Sequence, residues 1–539
     1  IYAAPTDKPS GWSDDWNSNL NVVWNVSKIN NSGNFEYWIR GTKSNKYAAI
    51  SKYNGLEKTV DLPDTIDDLP VQGVADFAFL DNTNITEIII PSGVTSIGKS
   101  AFSGCSALSS IEMSDNILNI DERAFYNCST LNKILLPKAL LTIGDYSFYG
   151  CSSLKYIKIP DQVTSIGECA FAECKNLETV IIPDNVTTIK SHAFYYSDCL
   201  TIYAAFNERP DGWAYQWKSI NSAVCWNVLD VRSNDLYKYL IKGPKSNKSI
   251  KIIEYLERQK TEVEIPDEID GIPVKEIGNN VFLTNNKLTK VVIPDGVEVI
   301  REHAFHGCYN LTVVMIPDTV EVIESNAFYL CSNITFYCAS NEKPEGWNGN
   351  WCSNDTKTEN IIWNVRGLGK SSQYDYWVRG TADDQYISLV KYNGYESTVN
   401  IPSKIDFWDV KEIGEKCFYE DTSIRKVLNL DNIVSIGDEA FYGCENLTEI
   451  FISDSVINMG SKVLDYCNYD LIIYCAYEKI PNTWPYDWAT DYSFSNIIFN
   501  VRKIDWLGDY QCWIRGSKDN PYISIRNVSV SGFGDNITI

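Results

Sequence analysis

Three histidines and sixteen cysteines are the side chains with which this 539-residue chain could do acid–base, nucleophilic or transition-metal chemistry. His192 and His303 each stand directly before an Ala-Phe pair, at a position that elsewhere holds Ser100, Arg123, Tyr146 or Asn326. A position that varies so freely reads as solvent-facing surface rather than as a general base. No Cys-x-x-Cys pair offers the clustered ligands of a zinc site. The acidic pairs Asp14-Asp15 and Asp383-Asp384 lack the alternating spacing of a calcium loop. Neither a phosphate-cradling glycine loop nor a nucleophile elbow occurs. The reading is a non-enzymatic protein with no catalytic residue, no metal ligand and no cofactor.

The cysteines acquire meaning once their spacing is compared with that of the phenylalanines. Phe79, Phe102, Phe125, Phe148, Phe171 and Phe194 are each 23 residues apart, as are Phe282, Phe305 and Phe328, and then Phe418, Phe441 and Leu464. Cys105, Cys128, Cys151, Cys174, Cys308, Cys331, Cys444 and Cys467 follow these positions by three residues, with Ser197 in place of the fifth thiol. Such a column reads as small buried hydrophobes kept reduced, not as a disulfide framework. Cys338 with Cys352, and Cys475 with Cys512, are left open as pairs.

The elements that must carry these columns follow from units such as "LKYIKIPDQVTSIGECAFAECKN" (154–176) and "LTEIFISDSVINMGSKVLDYCNY" (447–469). Leu-x-x-Ile-x-Ile has the period of a short strand, and the proline after it ends the ladder. Val-x-x-Ile-Gly turns the chain, and Ala-Phe-x-x-Cys returns it with a large core filler. One unit cannot bury its own apolar positions, whereas stacked units can. The expected fold is a β-rich, right-handed repeat solenoid with three rung blocks separated by Trp-rich hairpin or cap junctions.

The combination of Ile-Pro, Ile-Gly and Ala-Phe-x-x-Cys in "TEIIIPSGVTSIGKSAFSGCSALSS" and "LKYIKIPDQVTSIGECAFAECKNL" closely resembles the BspA-like leucine-rich repeats of surface proteins from anaerobic bacteria and some parasitic protists. The resemblance covers all three rung blocks. It implies a leucine-rich-repeat solenoid, extracellular adhesion and protein binding without enzymatic activity.

Between the blocks a longer unit recurs, in "IYAAFNERPDGWAYQWKSINSAVCWNV" (202–228), "FYCASNEKPEGWNGNWCSNDTKTENIIWNV" (336–365) and "IYCAYEKIPNTWPYDWATDYSFSNIIFNV" (472–501), and the first residues of the chain align with it. Trp12 and Trp16, Trp213 and Trp217, Trp347 and Trp351, and Trp484 and Trp488 keep a four-residue spacing that one helical turn would place on one side. They read as covers for the exposed last rung, with a glycan platform as the other reading. "VVWNV" and "YWIRG" are expected to pair as an antiparallel hairpin. Arg40-Gly41, Arg379-Gly380 and Arg515-Gly516 read as its turn with a charged flank rather than as an adhesive motif. The pattern places 1–58 as a partial junction and lead-in, 59–200 as the first rung block, 201–260 as a junction, 261–334 as the second block, 335–396 as a junction, 397–470 as the third block, and 471–539 as a junction truncated before a further block. Both chain ends thus fall inside the repeating pattern.

The candidate binding face is the strand column between the two isoleucines of Ile-x-Ile, which alternation directs away from the core. It holds Ile89, Leu135, Ile181, Val292, Met315, Leu428 and Phe451, with Tyr156 and Lys158 as polar anchors in the first block. A net charge of −23 argues against nucleic acid and anionic membranes as partners. No segment approaches the roughly 18 apolar residues of a membrane-spanning helix. The expected partners are an extracellular or cell-surface protein, or copies of the chain itself. The first reading is a secreted or surface-displayed adhesin whose signal and anchor lie outside these residues. The second is a self-associating subunit of a surface filament, stalk or layer.

Overall fold

The computed structural model describes residues 25–197, 199–331, 333–352, 360–490, 497–507, 510–517 and 520–528. They form a β-solenoid of about 19 turns, and the described residues contain no α-helix. Two compact units are present, Ile1–Glu257 with Glu268–Lys275, and Arg258–Asp267 with Glu276–Ile539.

In the first unit every rung contributes a Leu-x-x-Ile-x-Ile strand to one side and a short Ser/Thr-Ile strand to another. Thr59–Asp61, Glu87–Ile89, Ser110–Glu112 and Lys133–Ile134 pair in parallel, and so do Tyr156–Lys158, Thr179–Ile182, Thr201–Ala204 and Ala223–Trp226. The second side runs from Leu69–Val74 through Ser96–Ile97, Asn119–Ile120, Thr142–Ile143 and Ser165–Ile166 to Thr188–Ile189. On the third side the Ala-Phe turns also bond from rung to rung. The Phe102 amide donates to Ala124 O at 2.8 Å and the Phe125 amide to Ser147 O at 2.7 Å. Backbone polar groups thus find partners on all three sides, as burial of a whole rung requires.

Register puts like above like. The rings of Phe79, Phe102, Phe125, Phe148, Phe171 and Phe194 stack with centroids 5.0–5.3 Å apart. Tyr53 lies over one end of the stack at 5.5 Å, and the edge of Trp217 closes the other at 6.0 Å. Each column thiol donates to the carbonyl of the phenylalanine one rung back, as in Cys105 Sγ to Phe79 O and Cys128 Sγ to Phe102 O, both 3.1 Å. The thiol is therefore a matched donor as well as a small hydrophobe. Ser197 replaces it by donating to Cys174 O at 3.1 Å. None of these rung cysteines is in a disulfide.

Burial pushes the Cys105 and Cys174 thiols up to about 12, and Cys128 and Cys151 also rise well above the usual thiol range. Thiolate is the reactive form. With the native chain at neutral pH, a maleimide is expected to label exposed Cys199 within minutes. The rung thiols should label only in denaturant, and mass mapping of native labelling at Cys105 to Cys174 would contradict this packing.

The second unit repeats the design with fewer rungs. Phe282, Phe305 and Phe328 stack at 4.8 Å with Trp351 edge-on at the end, and Phe418 and Phe441 stack at 4.8 Å beneath Tyr392.

The junctions depart from their expected local structure in two ways. First, the three described Trp pairs are not on a helix. Trp213 bridges Ile189 and Lys218 bridges Phe194 in parallel, so this segment is itself a rung laid on the last one. Trp347 and Cys352 bridge Ile323 and Phe328 likewise. A four-residue spacing in an extended rung places one Trp over the Ser/Thr-Ile strand and the next beside the phenylalanine. Second, the strands Ala223–Trp226, Ile361–Trp363 and Ile497–Phe499 do not enter the hairpin. They join the preceding rung sheet in parallel, and the hairpin begins just after them. The change of direction falls on Asn227, Asn364 and Asn500, whose φ is near 60°. Asn and Gly tolerate this left-handed region.

The hairpins themselves pair Lys28–Ser32, Val228–Ser233 and Gly367–Lys370 with Phe35–Thr42, Tyr237–Lys242 and Tyr374–Gly380. Gly380 has φ +95°, and a Cβ on it would lie 2.1 Å from Asp384 O. Its amide donates to Asn364 Oδ1 at 3.0 Å, a tie repeated between Gly243 and Asn227. The Arg379 guanidinium lies 4.9 Å over Trp377, as Arg40 does over Trp38. Arg-Gly is thus a turn in which the arginine covers a tryptophan.

Candidate functional site

The Ile-x-Ile column lines the outer side of the rung sheet in each block, but the blocks differ in how much of it they leave open. In the first unit Leu135 is 75 % exposed and Tyr156 42 %, whereas Ile181 is only 1 % exposed. In the second unit Met315 is 8 % exposed, Val292 and Phe451 are half-buried, and Leu428 is exposed. Ile181 and Met315 therefore do not face solvent as strand alternation suggests.

The cause is the junction hairpin, which folds back over the last rungs of the block before it. Strand Val228–Ser233 lies against Thr179–Ile182 and Thr201–Ala204. Lys158 Nζ donates to Asp230 at 2.8 Å and Lys245 Nζ to Asp184 at 2.8 Å. Lys158 is thus engaged within the chain rather than left for a partner. Burial, with a smaller contribution from the Asp230 charge, raises the Tyr156 hydroxyl above its ordinary range. In the second unit Trp377 packs on Tyr337 and Trp513 on Tyr474, both with centroids 6.0 Å apart.

Arginine fastens the same fold-back there. Arg366, its side chain 7 % exposed, bonds Asp318, approaches Asp295 at 3.8 Å and donates to Gly380 O at 2.8 Å. Arg502 bonds Asp454 in the same way. A buried guanidinium is stable only when its donors are matched in this manner. Between hairpin and sheet each short block keeps a cavity. One of about 580 Å³ lies among Val292, Met315, Asp295, Arg366 and Trp408. The other, about 470 Å³, lies among Leu428, Phe451, Asp431 and Arg502. Such mixed apolar and charged clefts suit an extended peptide better than a compact apolar ligand.

Among the described residues the hairpin reaches only the last rungs, and on the first block's additional rungs Ile89 is half-buried while Glu112 and Leu135 are exposed. Ile89, Glu112 and Leu135 stand on successive rungs of one column, and Tyr156 follows on the next in the neighbouring column.

Trp213, Trp217, Trp347, Trp351, Trp484 and Trp488 are all buried in the end rungs. Trp12 and Trp16 lie outside the described residues. His303 and His306 stack edge-on at 5.0 Å, and burial with the nearby His303 charge holds His306 below the ordinary imidazole range. Sequence spacing misses one group among the described residues: the ligand atoms of Glu168, Cys169 and His192 lie within 4.8 Å of one another. Cys169 and His192 are 23 residues apart, the interval at which side chains of adjacent rungs meet.

Stacked Leu-x-x-Ile-x-Ile strands, a phenylalanine spine and an outward strand column define a leucine-rich-repeat β-solenoid. The model of the BspA type leucine-rich repeat region, six copies long, matches residues 72–201, 247–361 and 395–505. The chain belongs to this family. It is similar to a Treponema pallidum leucine-rich repeat protein, at 34 % identity over 32 % of this chain and 81 % of that one, with a TM-score of 0.31. A leucine-rich cell surface protein of Faecalibacterium prausnitzii shares 21 % identity over 85 % of this chain and 96 % of its own, with a TM-score of 0.28. A leucine-rich repeat protein of Bacteroides ovatus shares 21 % identity over 86 % and 98 %, with a TM-score of 0.31. No curated protein matches. The described residues include no helix long and apolar enough to cross a membrane.

Proposed function

We propose that this chain is a secreted or surface-displayed, non-enzymatic adhesin that binds an extracellular protein through the uncovered rung face of its first block. The observation that carries this reading is the contrast within one column. Where the hairpin folds back, Ile181 is buried, and beyond its reach Leu135 stands 75 % exposed, one rung before Tyr156 at the hairpin's edge. An apolar residue left open at the end of the Lys133–Ile134 strand, with Glu112 and Tyr156 on the rungs to either side, has the character of an interface centre. Membership of the BspA type repeat family supports protein binding as the general role.

The test uses the full chain labelled at Cys199 and presented to host-cell and neighbouring-bacterial surfaces. Saturable binding is expected, with at least a tenfold loss for Leu135→Asp combined with Tyr156→Ala and little change for Tyr215→Ala, a distant exposed aromatic. Saturable binding unaffected by the double variant would remove this face from the reading. A second reading, a structural subunit that self-associates, rests on the recurrence of one junction device, Asn364 to Gly380 and Asn227 to Gly243. Concentration-dependent sedimentation into ordered oligomers, with no binding to either surface, would favour it.

A further inference from the structure

Residues two before each phenylalanine of the first block's stack share a left-handed backbone: Ser100, Arg123, Tyr146, Cys169 and His192 have φ between 50° and 58°. Their amides bond the next rung, as in Tyr146 N to Glu168 O at 2.7 Å, Cys169 N to Ser191 O at 3.1 Å and His192 N to Gln216 O at 2.7 Å. Rung spacing, about 4.8 Å, therefore fixes where each successive side chain of this column begins. Most neighbours in it make no ligand set. The second block has Asn280, His303 and Asn326 here, and the third has Lys416, Glu439 and Lys462. Only at Cys169 and His192 does a thiol stand beside an imidazole, and Glu168 adds a carboxylate.

We propose that Glu168, Cys169 and His192 form a binding site for a zinc-class transition-metal ion. One sulfur, one nitrogen and one oxygen make a borderline set that suits Zn²⁺ over Mg²⁺ or Ca²⁺, which want oxygen alone. With metal–ligand lengths of about 2.0–2.3 Å, tetrahedral donors lie roughly 3.5 Å apart, so the three atoms close in by a small side-chain rotation. Glu168 is the most open of the three and Cys169 and His192 are half-buried, which leaves the fourth position to water. The His192 ring is already oriented, edge-on to Tyr195 at 4.9 Å. Lys190, the nearest cation on the next rung, is drawn onto Asp145 at 3.0 Å. A shallow pocket of about 370 Å³, bounded by Glu168, Lys190, Asp211 and Trp213, opens beside the Glu168 carboxylate. On coordination the Cys169 thiol, which the Tyr146 hydroxyl hydrogen-bonds, releases its proton to solvent. The ion would tie the last two rungs of the block just before the Trp rung that closes it.

The experiment uses the full chain, reduced and stripped with a chelator, titrated with Co²⁺ as a spectroscopic stand-in for Zn²⁺. A thiolate-to-cobalt charge-transfer band is expected to saturate at one ion per chain and to vanish when Zn²⁺ is added. Cys169→Ser and His192→Asn substitute residues that the same column holds at Ser100 and Asn326, so the backbone there is compatible with both. Each should abolish the band or weaken Co²⁺ binding at least tenfold. Zn²⁺ should raise the Tm of the native chain but of neither variant. Absence of the band in the native chain overturns the site, as does a band that persists in Cys169→Ser, with exposed Cys199 then its source. A band unchanged in His192→Asn overturns it equally.

Discussion

Replacing Phe125 with alanine is expected to lower the stability of the first unit by about 3–5 kcal/mol, the range for removing a fully buried phenylalanine. The ring has no exposed surface and lies between Phe102 at 5.2 Å and Phe148 at 5.1 Å. Its loss opens a cavity that cannot collapse, because rung spacing on either side is fixed by backbone ladders: Phe125 donates to Ser147 O and accepts nothing that alanine would remove. In a solenoid each rung is stabilised chiefly by its two neighbours, so one deletion weakens two interfaces. Guanidinium unfolding of the full chain, followed by tryptophan fluorescence, measures the effect as a shift of the first unit's midpoint. Tyr126→Ala is the comparison. Its ring also stacks, on Tyr149 at 5.0 Å, but on the outside, where about 1 kcal/mol or less is expected. Equal losses from the two variants would mean that the internal stack is not the spine of the unit.

The spine was legible in the sequence because a period of 23 is imposed by the rung itself. Phe, Ala, Cys and the first Leu recur wherever the chain passes the same point of the core. Less legible was anything set by a contact between one block and the hairpin after it. Ile181 and Met315 occupy the same column as Leu135, and only the fold-back separates them. The two elements that hold it down in the second unit, Arg366 on Asp318 and Trp377 on Tyr337, lie 48 and 40 residues apart, and they recur as Arg502 on Asp454 and Trp513 on Tyr474 only at the interval of a whole module, outside the 23-residue rung period. Local propensity also misdirected the reading of the junctions. Four-residue Trp spacing suggests a helix, yet the parallel bridges from Ile189 to Trp213 and from Phe194 to Lys218 impose an extended path. The Glu168, Cys169 and His192 group was missed for the converse reason. Metal-ligand motifs are short-range in sequence, whereas in a solenoid residues 23 apart are the neighbours.

Trp213→Ala is expected to have an effect as large as Phe125→Ala, about 3–5 kcal/mol, but a local one. Trp213 is buried against Trp217 at 4.8 Å and Phe206 at 5.3 Å, and its indole N–H donates to Val186 O at 2.9 Å. It therefore closes the end of the rung stack both as an apolar cover and as the donor for a carbonyl that no further rung would reach. Removing both roles should fray the block from this end. Hydrogen exchange of the Ile189, His192 and Phe194 amides, which bond the junction rung, should accelerate strongly while those of Phe79 and Phe102 stay protected. The two roles separate in Trp213→Phe, which keeps most of the cover and leaves Val186 O without its donor, at a cost of about 1–3 kcal/mol. Trp347 donates to Val320 O at 2.9 Å and should respond alike. The buried indole N–H of Trp484 has no acceptor among the described residues, so Trp484→Phe should cost clearly less than either. If all three Phe variants lost the same stability, the indole hydrogen bond would have no part in closing the blocks, and apolar cover alone would account for the recurrence of Gly-Trp at Trp213 and Trp347.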